Sequence, residues 1–280
     1  MRPSFITPIF EEGSVGPTVS NIQAALNLLP SALILLNVDG VFGPKTRARV
    51  IEFQKLMRLV VDGKVGPKTM GQIDALIGDV STAIANYELR MRVLAVARIE
   101  AMGLGRPPVL NAALSGGIDP ANPSKHFRLG HQRLAVYFHL AAPAYFLPGM
   151  QTEENIRHQK DGASPTLAPL PHWCGIFALW AHKTAGTPNM GTWVVGAGIA
   201  AVSGFKSVPS AGVLMPADIG YISSPHQHHV LIERVYLEGG MECIDTIEGN
   251  SFVGSSINIR KKSTRARFSG FYRATSLAAN

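Results

Sequence analysis

Cysteine is nearly missing from this chain. Two occur in 280 residues, Cys174 and Cys243, 69 positions apart (243 − 174). Such a pair makes no disulfide framework, so the protein is expected to fold in a reducing compartment. Long apolar runs are lacking too. The longest, 31–37 and 89–99, are short or broken by arginine, and spanning a bilayer takes about 20 apolar residues. No membrane span is expected. Residues 1–14 lack an apolar stretch and carry Glu11 and Glu12, so no secretory signal is expected either. Charge is sparse at 16%, and acids are the scarcer sign: 19 Asp and Glu against 26 Lys and Arg, a net charge of +7. That balance favours an anionic polymer such as nucleic acid, acidic glycan or bacterial wall. The basic residues are dispersed. Only Arg260, Lys261, Lys262, Arg265 and Arg267 cluster, and they read as a solvated strand edge, so no nucleic-acid partner is expected.

What is present begins with a repeat. Val38-Asp39-Gly40-Val41-Phe42-Gly43-Pro44-Lys45-Thr46 recurs as Val61-Asp62-Gly63-Lys64-Val65-Gly66-Pro67-Lys68-Thr69, at an offset of 23 (62 − 39). Asp-Gly makes a tight turn. Gly-Pro then sets proline at the first position of a helix, where its missing N–H costs nothing. Val50, Ile51, Phe53, Gln54, Leu56 and Met57 between the copies, and Val19, Ile22, Ala25, Leu26 and Leu29 before them, have helical spacing. Three short helices separated by two turns are predicted. Residue by residue, each Asp-Gly pair is first of all a turn.

Farther on, 79–104 reads as one amphipathic helix and 103–125 as a loop rich in Gly, Pro, Asn and Ser. A second helical stretch lies within 126–146, ending near Pro143. The whole of 80–150 is read as packing scaffold, with a lid or substrate wall as the alternative. The Gly- and Ala-rich stretch around Trp193 reads as loop plus a short helix. From Asp218 onward, about five strands are predicted: 219–222, 230–236, 243–247, 256–260 and 267–273. Helices followed by strands make the C-terminal half α+β with an antiparallel sheet.

The stretch His172-Trp173-Cys174-Gly175-Ile176-Phe177-Ala178-Leu179-Trp180 reads as the start of a buried helix running to about Ala185, stopped by Gly186 and Pro188. Cys174 therefore stands at a helix N-terminus. Unpaired N–H groups and the dipole favour a thiolate there, and the same N–H groups suit an oxyanion. Many cysteines are only small buried hydrophobes, the expectation for Cys243. Cys174 differs because His229 opens the strand-like run Val230-Leu231-Ile232, and Glu248-Gly249-Asn250 closes another. A thiolate, a base and a group that orients the base are the parts of nucleophilic catalysis. Strand alternation lets only one of His228 and His229 face the cysteine, and His229 is the choice. His226 and His228 have the spacing of a metal half-site, but no second pair stands near them, so no metal and no cofactor are expected.

These words resemble known families. "NIQAALN", "DGVFGPKT", "VIEFQ" and "DGKVGPKT", over about 12–78, resemble the peptidoglycan-binding module of many wall hydrolases. "WCGIFALWAHKTAGTP", "ADIGYI", "HHVLI" and "IEGN", in that order over about 154–260, resemble the CHAP branch of papain-like (NlpC/P60-type) cysteine amidases. The resemblance implies three domains: a three-helix wall-binding module over 1–78, a helical linker over 79–150 and a papain-like hydrolase over 151–280. It implies a catalytic set of Cys174, His229, Glu248 and Asn250, with either of the last two orienting the imidazole. His172, Trp173, Asn155, His228 and Trp193 are placed on the substrate side. His172 stands where relatives carry Pro or Gln, so His172 or Asn155 is the candidate second oxyanion donor. In the module, Asp39, Phe42, Thr46, Asp62 and Thr69 carry the motif.

The function this implies is cleavage of an amide bond in peptidoglycan peptides by a cysteine nucleophile. A protein made in the cytoplasm that acts on the wall must be delivered. Contact-dependent injection as an antibacterial effector (type VI secretion), with a carrier and a cognate immunity protein, is the first expectation. A phage endolysin of the same chemistry is the alternative. A non-catalytic wall-binding protein and a small-molecule amidase complete the alternatives.

Overall fold

The computed structural model describes residues 8–102, 130–147, 152–157, 171–251 and 256–277. The whole of the 103–125 loop and the 158–170 approach to Cys174 lie outside them. Among the described residues there are seven α-helices and one six-stranded antiparallel sheet, an α+β fold.

The first three helices are α1 (Pro17–Leu28), α2 (Pro44–Leu56) and α3 (Pro67–Ile77). Each opens on a Gly-Pro pair, with Gly16, Gly43 and Gly66 at the N-caps. Their apolar faces close over Val19, Ile22, Leu26, Phe42, Val50, Phe53 and Ile73. Two buried glutamines bind the turns. The Gln23 amide donates to Asp39 Oδ1 (2.9 Å), Val41 O (3.0 Å) and Thr46 Oγ1 (3.2 Å), and its Oε1 accepts from the Asp39 and Gly40 N–H groups. Gln54 repeats the network with Asp62 (2.7 Å), Lys64 O (2.9 Å), Thr69 (3.2 Å) and the N–H groups of Asp62 and Gly63. A buried amide is stable only when satisfied, and here it fixes a whole turn. Backbone N–H groups and the glutamine amides hold Asp39 and Asp62 below the usual carboxylate range. Asp39, Thr46, Asp62 and Thr69 thus hold the turns in place, and Phe42 is fully buried in the core.

The 79–104 helix begins later than its sequence pattern suggests, because Asp79 caps a short 3-10 turn at Val80–Thr82. α4 then runs Ala83–Met102, packed against α1 on one side and α7 on the other. α5 (His131–Ala141) and α6 (Thr152–Arg157) follow, and α7 spans Cys174–Thr184. The strands are β1 (Phe205–Val208), β2 (Ile219–Ile222), β3 (His228–Glu238), β4 (Met241–Ser251), β5 (Ser256–Ser263) and β6 (Gly270–Ala274), in the order β1-β6-β2-β3-β4-β5. β1 corrects the reading of 187–208 as loop plus helix. Its four residues pair with β6 from Phe205↔Ala274 to Val208↔Phe271, so a distant strand makes it regular. The expected strand over 267–273 starts at Gly270, because Arg265–Arg267 form a 3-10 turn.

α7 lies across one face of the sheet. Ile176, Phe177 and Leu179 share a core with Ile219, Leu231 and Ile247. Leu214, Val230, Ile232, Ile244 and Phe271 fill the other face. Gly249 lies within β4 rather than in a turn. A Cβ there would stand 2.8 Å from the Phe177 ring, so glycine is what lets the helix approach the strand next to Glu248.

Candidate active site

Trp173 is the N-cap of α7, with φ −106° and ψ 9°, and its carbonyl accepts the Phe177 N–H at 2.8 Å. Cys174 is therefore the first helical residue. Helix geometry leaves the first N–H groups without intrahelical partners, and they surround the base of the cysteine side chain.

The thiol is buried, with 4% of the residue exposed. Its Sγ lies 3.9 Å from His229 Nδ1, and His228 also draws the thiol pKa down. Both histidines act on the thiol, where strand alternation alone singles out one. His229 shares the face of Leu231, the α7 side. His228 opens β3, where pairing to Ile222 of β2 sets its position. At a strand end the pleat constrains direction least.

The carboxylate meets His228, not His229. His228 Nε2 stands 3.3 Å from Glu248 Oε2. Glu248 is 2% exposed. It also accepts from Thr246 Oγ1 (2.7 Å), Arg260 Nε (3.2 Å), and Arg267 Nη1 and Nη2 (2.7 and 3.1 Å). Burial would raise the Glu248 pKa, but His228, Arg267 and Thr246 outweigh it and hold the group well below the carboxylate range. Burial likewise pushes the Cys174 thiol up, and hydrogen bonds from His228 and His229 bring it down to about 5. For His228, burial favours the neutral ring, and Cys174 and Glu248 overcome it to raise the pKa to about 9. The two values belong to the pair. The arrangement favours a thiolate beside an imidazolium across neutral pH.

His229 has a different environment. The Ile199 N–H points to its Nε2 at 3.5 Å. The Trp193 ring stands edge-on at 5.2 Å and Tyr221 lies at 4.9 Å. Trp193 in turn covers Gly175, where a Cβ would stand 2.0 Å from the indole. Gly175→Ala is therefore expected to destabilise the protein by about 2 kcal/mol through overpacking and to displace Trp193 from His229. Denaturant unfolding and tryptophan emission read both effects. A variant with wild-type stability and emission would refute this packing.

Of the other sequence candidates, His172 is exposed beside the cysteine. Trp173 is fully buried against Tyr137 (6.1 Å) and Phe177 (6.4 Å). Asn155 is buried on α6. Asn250 is half-buried near the end of β4 with φ 53°, and the hydrogen bond to a histidine comes from Glu248. Cys243 is buried in β4. Sequence reading missed Arg260, Arg267, Tyr221 and Ile199. For the two arginines a signal existed: a basic cluster on the strand following a Glu-x-Asn word. Among the described residues, no group of three or more His, Cys, Asp and Glu is placed to hold a metal ion, and no helix is long and apolar enough to cross a membrane.

Comparison with curated proteins finds no match. Among solved structures, one similar chain is the crystal structure of a fused Zn-dependent amidase/peptidase/peptidoglycan-binding domain-containing protein from Clostridium acetobutylicum ATCC 824. It is 33% identical over 27% of this chain and 33% of that one, with a TM-score of 0.24. The match thus spans about a third of that protein. Residues 15–73 match the family described as putative peptidoglycan binding domain, the segment that holds α1, α2 and both glutamine-bound turns. Over that segment the chain is similar to the putative peptidoglycan binding domain family.

Proposed function

We propose that this protein is a cysteine amidase that cleaves peptide amide bonds in peptidoglycan. The observation that carries the reading is Cys174 at the start of α7, with its Sγ 3.9 Å from His229 and with His228, paired to Glu248, lowering its pKa. The Cys174 thiolate attacks the amide carbonyl, and the N–H groups at the helix start receive the oxyanion. His228 carries the thiol proton and gives it to the leaving amine. Water then attacks the thioester, His228 takes a proton from that water, and the acid leaves with the sulfur restored. The N-terminal domain raises the local concentration of enzyme on the wall.

The histidines divide the work by tautomer. His229 Nε2 receives the Ile199 N–H, which leaves the ring proton on Nδ1, facing sulfur. It donates that proton to the sulfur. His228 presents Nε2–H to Glu248, so its other nitrogen takes the thiol proton. The base is thus assigned to His228 rather than to His229. His228→Ala is expected to lower kcat/KM about 100-fold, the scale of a general acid–base group, and to return the alkylation profile of Cys174 toward that of an ordinary thiol. His229→Ala should cost about tenfold and keep a depressed profile. The reverse ranking would transfer the base to His229.

The test of the function is mass spectrometry of purified sacculi digested by wild type and by Cys174→Ala. New paired amine and carboxyl ends made by wild type alone support the reading and name the bond. Equal products from both, or none from either, sink it.

A further inference from the structure

The basic cluster near the C-terminus is not one feature. Lys261 bonds Glu233 (2.9 Å) and Asp245 (3.3 Å), Lys262 bonds Glu238 (3.1 Å), and Arg265 forks onto Glu242 (2.9 and 3.0 Å). These are ties along the sheet edge. Arg260 and Arg267 turn the other way, toward the buried Glu248. Arg260 is half exposed and offers one bond at 3.2 Å. Arg267 is mostly covered and places one nitrogen on each carboxylate oxygen, at 2.7 and 3.1 Å. Its Nη1 also donates to Ser263 Oγ at 3.2 Å, and the 3-10 turn that carries it closes with Arg267 N–H to Thr264 O. The donor is therefore fixed at the backbone and at the fork.

We propose that Arg267 is a positioning residue of the Cys174 site: its two-pronged grip on Glu248 sets the carboxylate that orients His228 toward the sulfur. The inference rests on the reading of Cys174, His228 and Glu248 as a working set. A forked guanidinium–carboxylate pair fixes geometry as well as charge, which a lysine ammonium cannot reproduce. Glu248 uses both oxygens at once. Oε1 takes Thr246, Arg260 and Arg267, while Oε2 takes Arg267 and His228. Without Arg267, Oε2 keeps His228 as its only bond among these and the carboxylate is free to swing toward Thr246 and Arg260.

The groups that face Glu248 are His228 from β3, Thr246 from its own strand, Arg260 from β5 and Arg267 from the turn after β5, with Cys174 of α7 beyond His228. Losing Arg267 misplaces the anion that holds the imidazolium. The thiolate is then harder to form, so the acid limb moves to higher pH.

The experiment uses the full chain and needs no knowledge of the bond cut. The rate of iodoacetamide alkylation of Cys174 is followed against pH in wild type, Arg267→Gln and Arg267→Lys, beside sacculus hydrolysis and thermal melting. Arg267→Gln should move the acid limb of alkylation up by about one pH unit, the worth of one charged hydrogen bond. It should lower kcat about tenfold or more, with KM little changed. Arg267→Lys should fall between, since it restores charge and not the fork. If Arg267→Gln does not fold, the lysine variant carries the test through the same limb. A folded variant with the wild-type limb and kcat overturns the role of Arg267 alone. A wild-type Cys174 that titrates as an ordinary thiol overturns the site reading, and this proposal with it.

Discussion

Cys174→Ala is expected to cut the release of peptide ends from sacculi by about 10⁴-fold or more, because removing a nucleophile leaves only binding and oxyanion stabilisation. The rest of the site survives the substitution. The helix start, the two histidines and Glu248 stay where the sheet and α7 put them, and no residue of α1–α3 is among the described partners of Cys174. Binding to sacculi should therefore persist while hydrolysis stops. Alanine fills most of the cysteine volume at a position that is 4% exposed, so the fold should lose little. The imidazole gives a second readout. Burial alone favours neutral His228, and thiolate and Glu248 together raise its pKa to about 9. With the thiolate gone, that pKa should fall, and the His228 NMR titration should move to lower pH. Cys174→Ser should not rescue the rate, because a hydroxyl is far too weak an acid for this pair to ionise. Hydrolysis by Cys174→Ala at the wild-type rate would refute the nucleophile whatever the bond cut.

Much of this was legible in the chain. The 23-residue repeat marked the turns and the prolines marked the helix starts, because both follow from local backbone chemistry. The start of α7 at Cys174 and five of the six strands among the described residues are legible for the same reason. What escaped was set by distant partners. Gln23 and Gln54 carry no mark of their own in the chain, and only the fold shows each amide seated inside a turn. β1 has four residues, Phe-Lys-Ser-Val, and becomes a strand because β6 lies beside it. The histidines were judged by strand alternation, which applies inside a strand and loosens at its first residue. The arginine cluster was read as one solvated edge. Chain reversal at the 3-10 turn sends Arg267 inward while Arg265 stays at the rim with Glu242.

Asp218→Asn is expected to destabilise the protein by about 3–5 kcal/mol, the cost of breaking a buried ion pair from one side. Asp218 is fully buried and accepts from Arg273 Nε (2.9 Å) and Nη2 (2.6 Å), Arg90 Nη1 (3.1 Å) and the Met215 N–H (2.9 Å). Arg90 is also fully buried and donates to the carbonyls of Pro216 and Leu277. One carboxylate thus serves two guanidiniums from α4 and β6. Burial, with Arg273 adding to it, draws the Arg90 pKa down to about 10 despite the attraction of Asp218. Asparagine keeps the shape and removes the only charge that offsets the two cations in this contact. Burial raises the Asp218 pKa, but Arg273 and Arg90 more than reverse this, so it lies below the carboxylate value. A group with a lowered pKa contributes stability above its unfolded pKa and loses it as pH falls through the folded one. Wild-type stability should therefore decline below about pH 4, and Asp218→Asn should flatten that decline. Denaturant midpoints at pH 7 and pH 3.5 test both statements, and a loss under about 1 kcal/mol at pH 7 would refute the first. The consequence reaches the site. Ile232 N–H donates to Asp218 O, and Ala217 O lies 3.0 Å from His182 of α7. The same segment opens β2, whose Tyr221 and Ile222 pair with His229 and His228. Loosening Asp218 releases the strand that places both histidines against α7, so activity should fall along with stability.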